Sequence, residues 1–243
     1  LLQGKVDVMK AELSDAKLNT ASMIEGVIVK GNVGNLSLQS HDIDLNTQEV
    51  LLNDVLLADA QVYVAVADTT AEDTPSEPVN WKIRVDEIKL SQVGVDFEMP
   101  LDTLALSTFI NEAALKDGLV DLANERYEIQ NFVLDGKRLS LDMGEDKRTN
   151  KTEGFDPSHL ALYTLHLDVD SILYQAPDIK AVINELNFFE RSCFEVSSLT
   201  GRFLADSQGV KLDDFRLLTP NSEASITASI PMVIGQRRDS VST

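Results

Sequence analysis

Four stretches of this chain place apolar residues at positions 0, 2, 7 and 9 of a short unit: Leu36, Leu38, Ile43, Leu45; Val55, Leu57, Val62, Val64; Ile88, Leu90, Val95, Phe97; and Phe132, Leu134, Leu139, Leu141. A fifth, weaker version runs Ile172, Tyr174, Ile179, Ala181. A further apolar residue stands five positions ahead of three units, at Val50, Ile83 and Tyr127. Within each pair the alternation is that of a half-buried strand, with residues i and i+2 on one face. The gap of five between pairs would throw the second pair onto the opposite face of a straight strand. Two devices resolve this. A two-residue hairpin sets position 2 opposite 7 and 0 opposite 9, and Asp135-Gly136-Lys137 and Ala176-Pro177 suit such a turn. Ser40-His41 and Gln92-Val93 suit it poorly, and there a bulge that re-aims the strand is the alternative. Repeated units that cannot bury an apolar face alone predict stacked β structure: an all-β fold, a repetitive antiparallel sheet with long loops and at most short helices.

Two stretches lack the pattern, 67–80 and 144–158 (GEDKRTNKTEGFDPS), and both read as exposed loops. Units occur on all sides of them, so residues 1–243 are expected to form one continuous repetitive β domain. DTLALSTFINEAALKDG, residues 102–118, fits either a helix over 109–115 or an extended chain, and 9–23 is equally ambiguous. Leu160, Leu162, Leu165, Leu167 and Val169 alternate as in a strand. No run of 18 apolar residues and no cationic segment leading into an apolar one is present, so neither a membrane span nor a signal peptide is predicted. The chain opens mid-pattern at LLQGKVDV, as expected for a fragment of a larger protein.

With 40 acidic against 21 basic side chains the net charge is -19, which argues against nucleic acid or an anionic membrane surface as partner. Cys193 is the single cysteine, so no disulfide forms within the chain. The three histidines, His41, His159 and His166, lie in no nucleophile motif. His159 and His166, seven apart on an alternating segment, are expected on opposite faces of a strand, unsuited to a shared metal. Asp168 and Asp170 share a strand face and offer a Ca²⁺ or acid/base pair, as do Glu145 and Asp146, but so acidic a chain makes such pairs by chance. No EF-hand, phosphate loop or CxxC is present, and no cofactor or enzyme activity is predicted. Gly26, Gly31 and Gly34 read as turns or bulges. Asn35 and Asn150 stand in N-x-S/T triplets that carry no argument without a glycosylating compartment.

Residues 165–230 resemble the TamB family, the inner-membrane-anchored subunit of the translocation and assembly module, in its Bacteroidetes form and close to the AsmA-like proteins. The resemblance rests on the Phe-Glu-x-x-x-Leu-x-Gly-x-Phe run from Phe194 to Phe203 and on Gly209-Val-Lys-Leu-Asp-Asp-Phe-Arg-Leu-x-Thr-Pro ending at Pro220. IEGVIVKGNVGNLSLQSHDIDL and VDEIKLSQVGVDFEM look like the same repeats. Where the pattern leads one to expect a turn glycine after Ser192, the chain has Cys193. The resemblance implies a sheet curled into an open, taco-like groove. It implies a periplasmic location in a parent protein anchored in the inner membrane of a Gram-negative bacterium. It also implies a groove that shelters lipid acyl chains or nascent outer-membrane proteins, with an outer-membrane assembly protein of the Omp85 class as partner.

Under that implication Leu36, Leu38, Val62, Val64, Ile88, Leu90, Val95, Phe97, Phe132, Leu134 and Leu141 line the groove wall. Periodicity alone favours an ordinary core between two packed sheets. A second possibility is an interaction module that adds its open sheet edge to a partner's strand. A β-solenoid acting on polysaccharide ranks last, because the acidic pairs are dispersed and aromatic residues make up 6% of the chain.

Overall fold

The computed structural model describes residues 5–6, 10–20, 27–66, 80–144 and 154–231. They form one sheet of twelve strands: β1 (Lys5–Val6), β2 (Ala11–Asn19), β3 (Val27–Asp44), β4 (Glu49–Val66), β5 (Lys82–Met99), β6 (Leu104–Asp121), β7 (Arg126–Met143), β8 (His159–Gln175), β9 (Asp178–Glu190), β10 (Glu195–Asp206), β11 (Gly209–Thr219) and β12 (Ser222–Pro231). From β3 onward, spatial order follows chain order, while β1 and β2 both pair with β3. Every pair is antiparallel except β4–β5, which is parallel. The sheet curls without closing. One 3₁₀ turn, Pro100–Asp102, is the only helical element among the described residues. Residues 67–79 and 145–153, most of the two expected loops, lie outside the described residues, as do Gly26, Glu145, Asp146 and Asn150.

The gap of five between apolar pairs has a definite origin. β3 to β7 are 18 residues each, so four of the units are not hairpins but parts of single strands, save Leu45, which stands exposed in the turn after β3. Asp135-Gly136-Lys137 is correspondingly not a turn; it lies inside β7. Between β4 and β5 the ladder runs Ala58↔Ser91 and then Ala60↔Val93, stepping over Asp59 and Gln92 without a change of register. Each strand thus carries one uncounted residue between its apolar pairs, which returns the second pair to the first pair's face. The skipped positions line up across the sheet in two seams. One crosses Asn53, Asp86, Asp117, Gln130 and Ser171, and the other Asp15, Gly34, Asp59, Gln92 and Asn111. Asp15, Asp59, Gln92, Asp117 and Ser171 all have φ between 50° and 55°. Polar, unbranched side chains tolerate that left-handed backbone best, which accounts for the seam composition. Gly34 fits its expected bulge, whereas Gly31 stands in regular ladder opposite Val62, where a Cβ would come within 2.5 Å of the Gln61 carbonyl oxygen.

The fifth unit alone is a hairpin: Tyr174 pairs with Ile179 across Ala176-Pro177, a cis peptide. Three of the other turns are closed by aspartates at the strand end. Asp44 accepts the backbone N–H groups of Asn46 and Thr47 at 2.9 and 3.3 Å, Asp121 that of Asn124 at 3.1 Å, and Asp206 those of Gln208 and Gly209 at 2.7 and 3.2 Å. The β3–β4 hairpin recurs as β6–β7, with equal arms and matching turns, DLNTQ and DLANE, whose last residues Gln48 and Glu125 are both left-handed. The segment 109–115, open to a helix by propensity, is strand β6, because sheet partners on both sides satisfy its backbone.

The apolar face as candidate functional site

Ladder pairing carries the apolar positions across six strands in five rows. Leu38, Val55, Ile88, Leu115, Phe132 and Val169 form one, and Leu36, Leu57, Leu90, Ala113, Leu134 and Leu167 the next. A third joins Val33, Ala60, Val93, Ile110, Gly136 and Leu165. Gly31, Val62, Val95, Thr108, Leu139 and Leu162 make the fourth, and Val29, Val64, Phe97, Leu106, Leu141 and Leu160 the fifth. All eleven expected wall residues fall in these rows, on one face of the sheet. No ionisable side chain stands in any of the five.

All eleven are half-buried. The tightest packing lies in and beside the third row, where Ala60 (4% exposed), Val93 (1%), Ile110 (7%) and Ala113 (7%) are covered by Leu57, Leu90, Val95, Phe132 and Leu134. These buried residues, and the whole contribution of β6 and β8, were absent from the expected wall. Val93-Gly-Val95-Asp-Phe97 carries the signal for the third row in plain alternation. Close backbone packing joins each strand only to its sheet neighbours.

The opposite face is polar. Gln61 Nε2 donates to Asp96 at 2.8 Å, Tyr63 Oη to Glu98 at 2.9 Å, and Asn53 Nδ2 to Asp86 at 3.0 Å, three bridges across the parallel β4–β5 junction. The Glu98 carboxylate accepting the Tyr63 hydroxyl pushes the phenol's pKa up. Asp168 and Asp170 do share a face, but their oxygens accept the side-chain amides of Asn131 and Asn184 at 2.7–3.3 Å. Those bonds, Asn184 first, hold the Asp170 carboxyl below the usual carboxylate range. No group of three or more metal-ligand side chains gathers among the described residues.

His159 and His166 are on the same face, not opposite ones, because left-handed Thr164 between them shifts the alternation. Each bonds its own carboxylate, His159 to Asp156 at 2.9 Å and His166 to Asp135 at 2.7 Å. A shallow cleft is lined by Leu56, Lys89, Ser91, Glu112, Ala114 and Val133 of this face together with Leu90 and Ala113 of the second row.

In the segment that carries the family resemblance, Leu199, Gly201 and Phe203 lie on β10 and Gly209 to Thr219 is β11. Cys193 occupies the turn between β9 and β10 at φ 70°, the conformation in which the pattern leads one to expect glycine. No protein-family model matches the chain, and no curated protein matches it at significant similarity.

Proposed function

We propose that this chain is a periplasmic segment of a TamB- or AsmA-like protein, whose apolar sheet face shelters or conducts lipid acyl chains, or nascent outer-membrane proteins, between inner and outer membrane. The observation that carries this is the set of five rows: a continuous face without an ionisable side chain, buried along its third row and mostly half-buried elsewhere, with charged side chains on the other side. An apolar face of that extent on a sheet that does not close fits a binding surface. Its contact with a guest is apolar and non-directional, at about 25 cal/mol per Å² removed from water, so head groups are poorly distinguished. No step of bond chemistry is assigned to the chain. Its parent, on this proposal, is anchored in the inner membrane of a Gram-negative bacterium.

The test is solvent extraction and lipid mass spectrometry of natively purified chain beside a variant carrying Phe97→Asp and Leu134→Asp. Phospholipid present in the wild type and lost from the folded variant supports the proposal; no lipid in either sample overturns it.

A second function has an observation of its own. β12, at one edge of the sheet, reads SEASITASIP, with a single charged residue and with Ile226 and Ile230 49% and 61% exposed. An edge so poor in charge invites strand addition, which suits docking to an outer-membrane assembly protein.

A further inference from the structure

We propose that the cleft across β4 to β7 binds a small amphiphilic cation, an ammonium carried on an aliphatic stem. Its space of about 320 Å³ suits a small ligand. The ladder register builds it from two rows on the face opposite the wall: Leu56, Lys89, Ala114 and Val133 in one, Ser91, Glu112 and Asp135 in the next. Leu90 and Ala113, between them in the strands, complete the lining. Ser91 and Ala114 are small, and the depression lies over them, between the longer side chains. The first row offers hydrocarbon: Leu56, Ala114, Val133 and the stem of Lys89, whose ammonium is already held by Glu87 at 2.6 Å. An apolar floor of this kind on a polar face, with a few polar groups converging on it, is the usual form of a small-ligand site.

The second row sets the sign of the ligand. Glu112 and Asp135 stand directly opposite one another on β6 and β7. Like charges so placed destabilise a sheet. Asp135 Oδ1 is bonded to His166 Nδ1 at 2.7 Å, which leaves its other oxygen for a ligand. No lysine or arginine forms an ion pair with either carboxylate among the described residues. An ammonium between them would relieve the repulsion, and its three donors can serve both carboxylates. Neighbouring positions on one face of a strand are about 6.6 Å apart, so a stem of about five carbons laid on Ala114 and Val133 brings its ammonium to Glu112 and Asp135. The net charge of -19 adds attraction at longer range.

The test titrates the full chain with pentylamine at neutral pH and low salt and follows the backbone amides by NMR. Pentanol, the stem without the charge, and methylammonium, the charge without the stem, run beside it. Pentylamine is expected to give saturable shifts confined to the amides around Ser91, Glu112, Ala114 and Asp135, and the other two probes to bind far more weakly. Glu112→Gln, which keeps the shape and removes the charge, is expected to raise the pentylamine dissociation constant about tenfold or more, as loss of a charge-assisted hydrogen bond does. Ser91→Leu, which fills the depression and keeps every charge, should do the same. If Ser91→Leu loses its strand circular dichroism, Ala114→Val replaces it. Glu128→Gln, on the same face and outside the cleft, is expected to leave binding unchanged. Without ligand, Glu112→Gln should raise the urea midpoint, so that binding and stability move in opposite directions; a merely structural Glu112 would lower the midpoint. Absence of saturable binding overturns the inference. So do shifts spread over the acidic side of the sheet, methylammonium binding as well as pentylamine, a filled cleft that binds like the wild type, or a lowered midpoint in Glu112→Gln.

Discussion

Phe215 lies directly on the backbone of Gly201: a Cβ built on that glycine would stand 2.6 Å from Phe215 Cδ2 and 2.9 Å from its Cα. Gly201 also has φ 151°, which L side chains rarely adopt. Both facts explain why the Leu-x-Gly-x-Phe run keeps a glycine between Leu199 and Phe203. Gly201→Ala is expected to cost about 1–3 kcal/mol through overpacking. Urea unfolding measures it, and the cost should fall in a Phe215→Ala background. An equal cost in both backgrounds would assign the effect to backbone strain alone.

The seams make a prediction at Gln92, left-handed at φ 53° and exposed. Gln92→Gly is expected to leave stability within about 0.5 kcal/mol, because relief of strain offsets the added chain entropy. Gln92→Val, β-branched at positive φ, should cost about 1–2 kcal/mol. Were valine tolerated as well as glycine, the ladder could not skip this position.

Cys193 offers the opposite case, a non-glycine residue at φ 70° in a turn whose N–H donates to the Glu190 carbonyl at 2.9 Å. Cys193→Gly removes the Cβ strain and is expected to stabilise by about 0.5–1 kcal/mol. At this chain length that corresponds to a rise in melting temperature of about 2 °C. A lower melting temperature would mean that the thiol makes contacts worth more than the strain.

Much of this was legible in the residues. Pair spacing announced Val55–Val64 and Ile88–Phe97 as equivalent units with all their apolar side chains on one face, and the structure sets them side by side, Val62 against Val95 and Val64 against Phe97. What spacing could not give was the means. A hairpin and a skipped residue restore the same alternation, and only backbone conformation at Asp59 and Gln92 separates them. β6 was ambiguous because Ala113, Ala114 and Leu115 are good helix formers, and the deciding interactions lie in β5 and β7, far off in sequence. Turns such as DLANE lay outside the turn candidates considered, because their device is a carboxylate at the strand end.

Those carboxylates bring pH dependence. Asp121 is held below the ordinary 3.8, chiefly by the Asn124 side-chain amide, and Asp170 by Asn184 and Asn131. A carboxyl with a depressed folded pKa binds fewer protons folded than unfolded, so its stabilisation is complete above the unfolded value and fades as pH falls through the folded one. The chain is therefore expected to lose stability from just above pH 3.8 downward. In Asp121→Asn and Asp170→Asn the difference between urea midpoints at neutral and acid pH should shrink. A difference unchanged from wild type in both would show that other groups carry the acid response.

Whether the wall is open in solution can be decided with two valines. Val93 and Val62 stand on one face in neighbouring strands, in adjacent rows, but Val93 is 1% exposed and Val62 only half-buried. Truncating a fully buried side chain removes transfer energy and leaves a cavity, whereas a half-exposed site loses less and is filled by solvent. Val93→Ala is expected to cost about 2 kcal/mol and Val62→Ala about half of that, both read from urea unfolding at low protein concentration. If the two cost the same, Val62 is sealed as tightly as Val93. The apolar rows would then be an ordinary core, and a lipid would have no surface to meet. If the costs separate and then converge when oleate is added, the guest itself covers Val62, which ties the exposure of the wall to its occupancy.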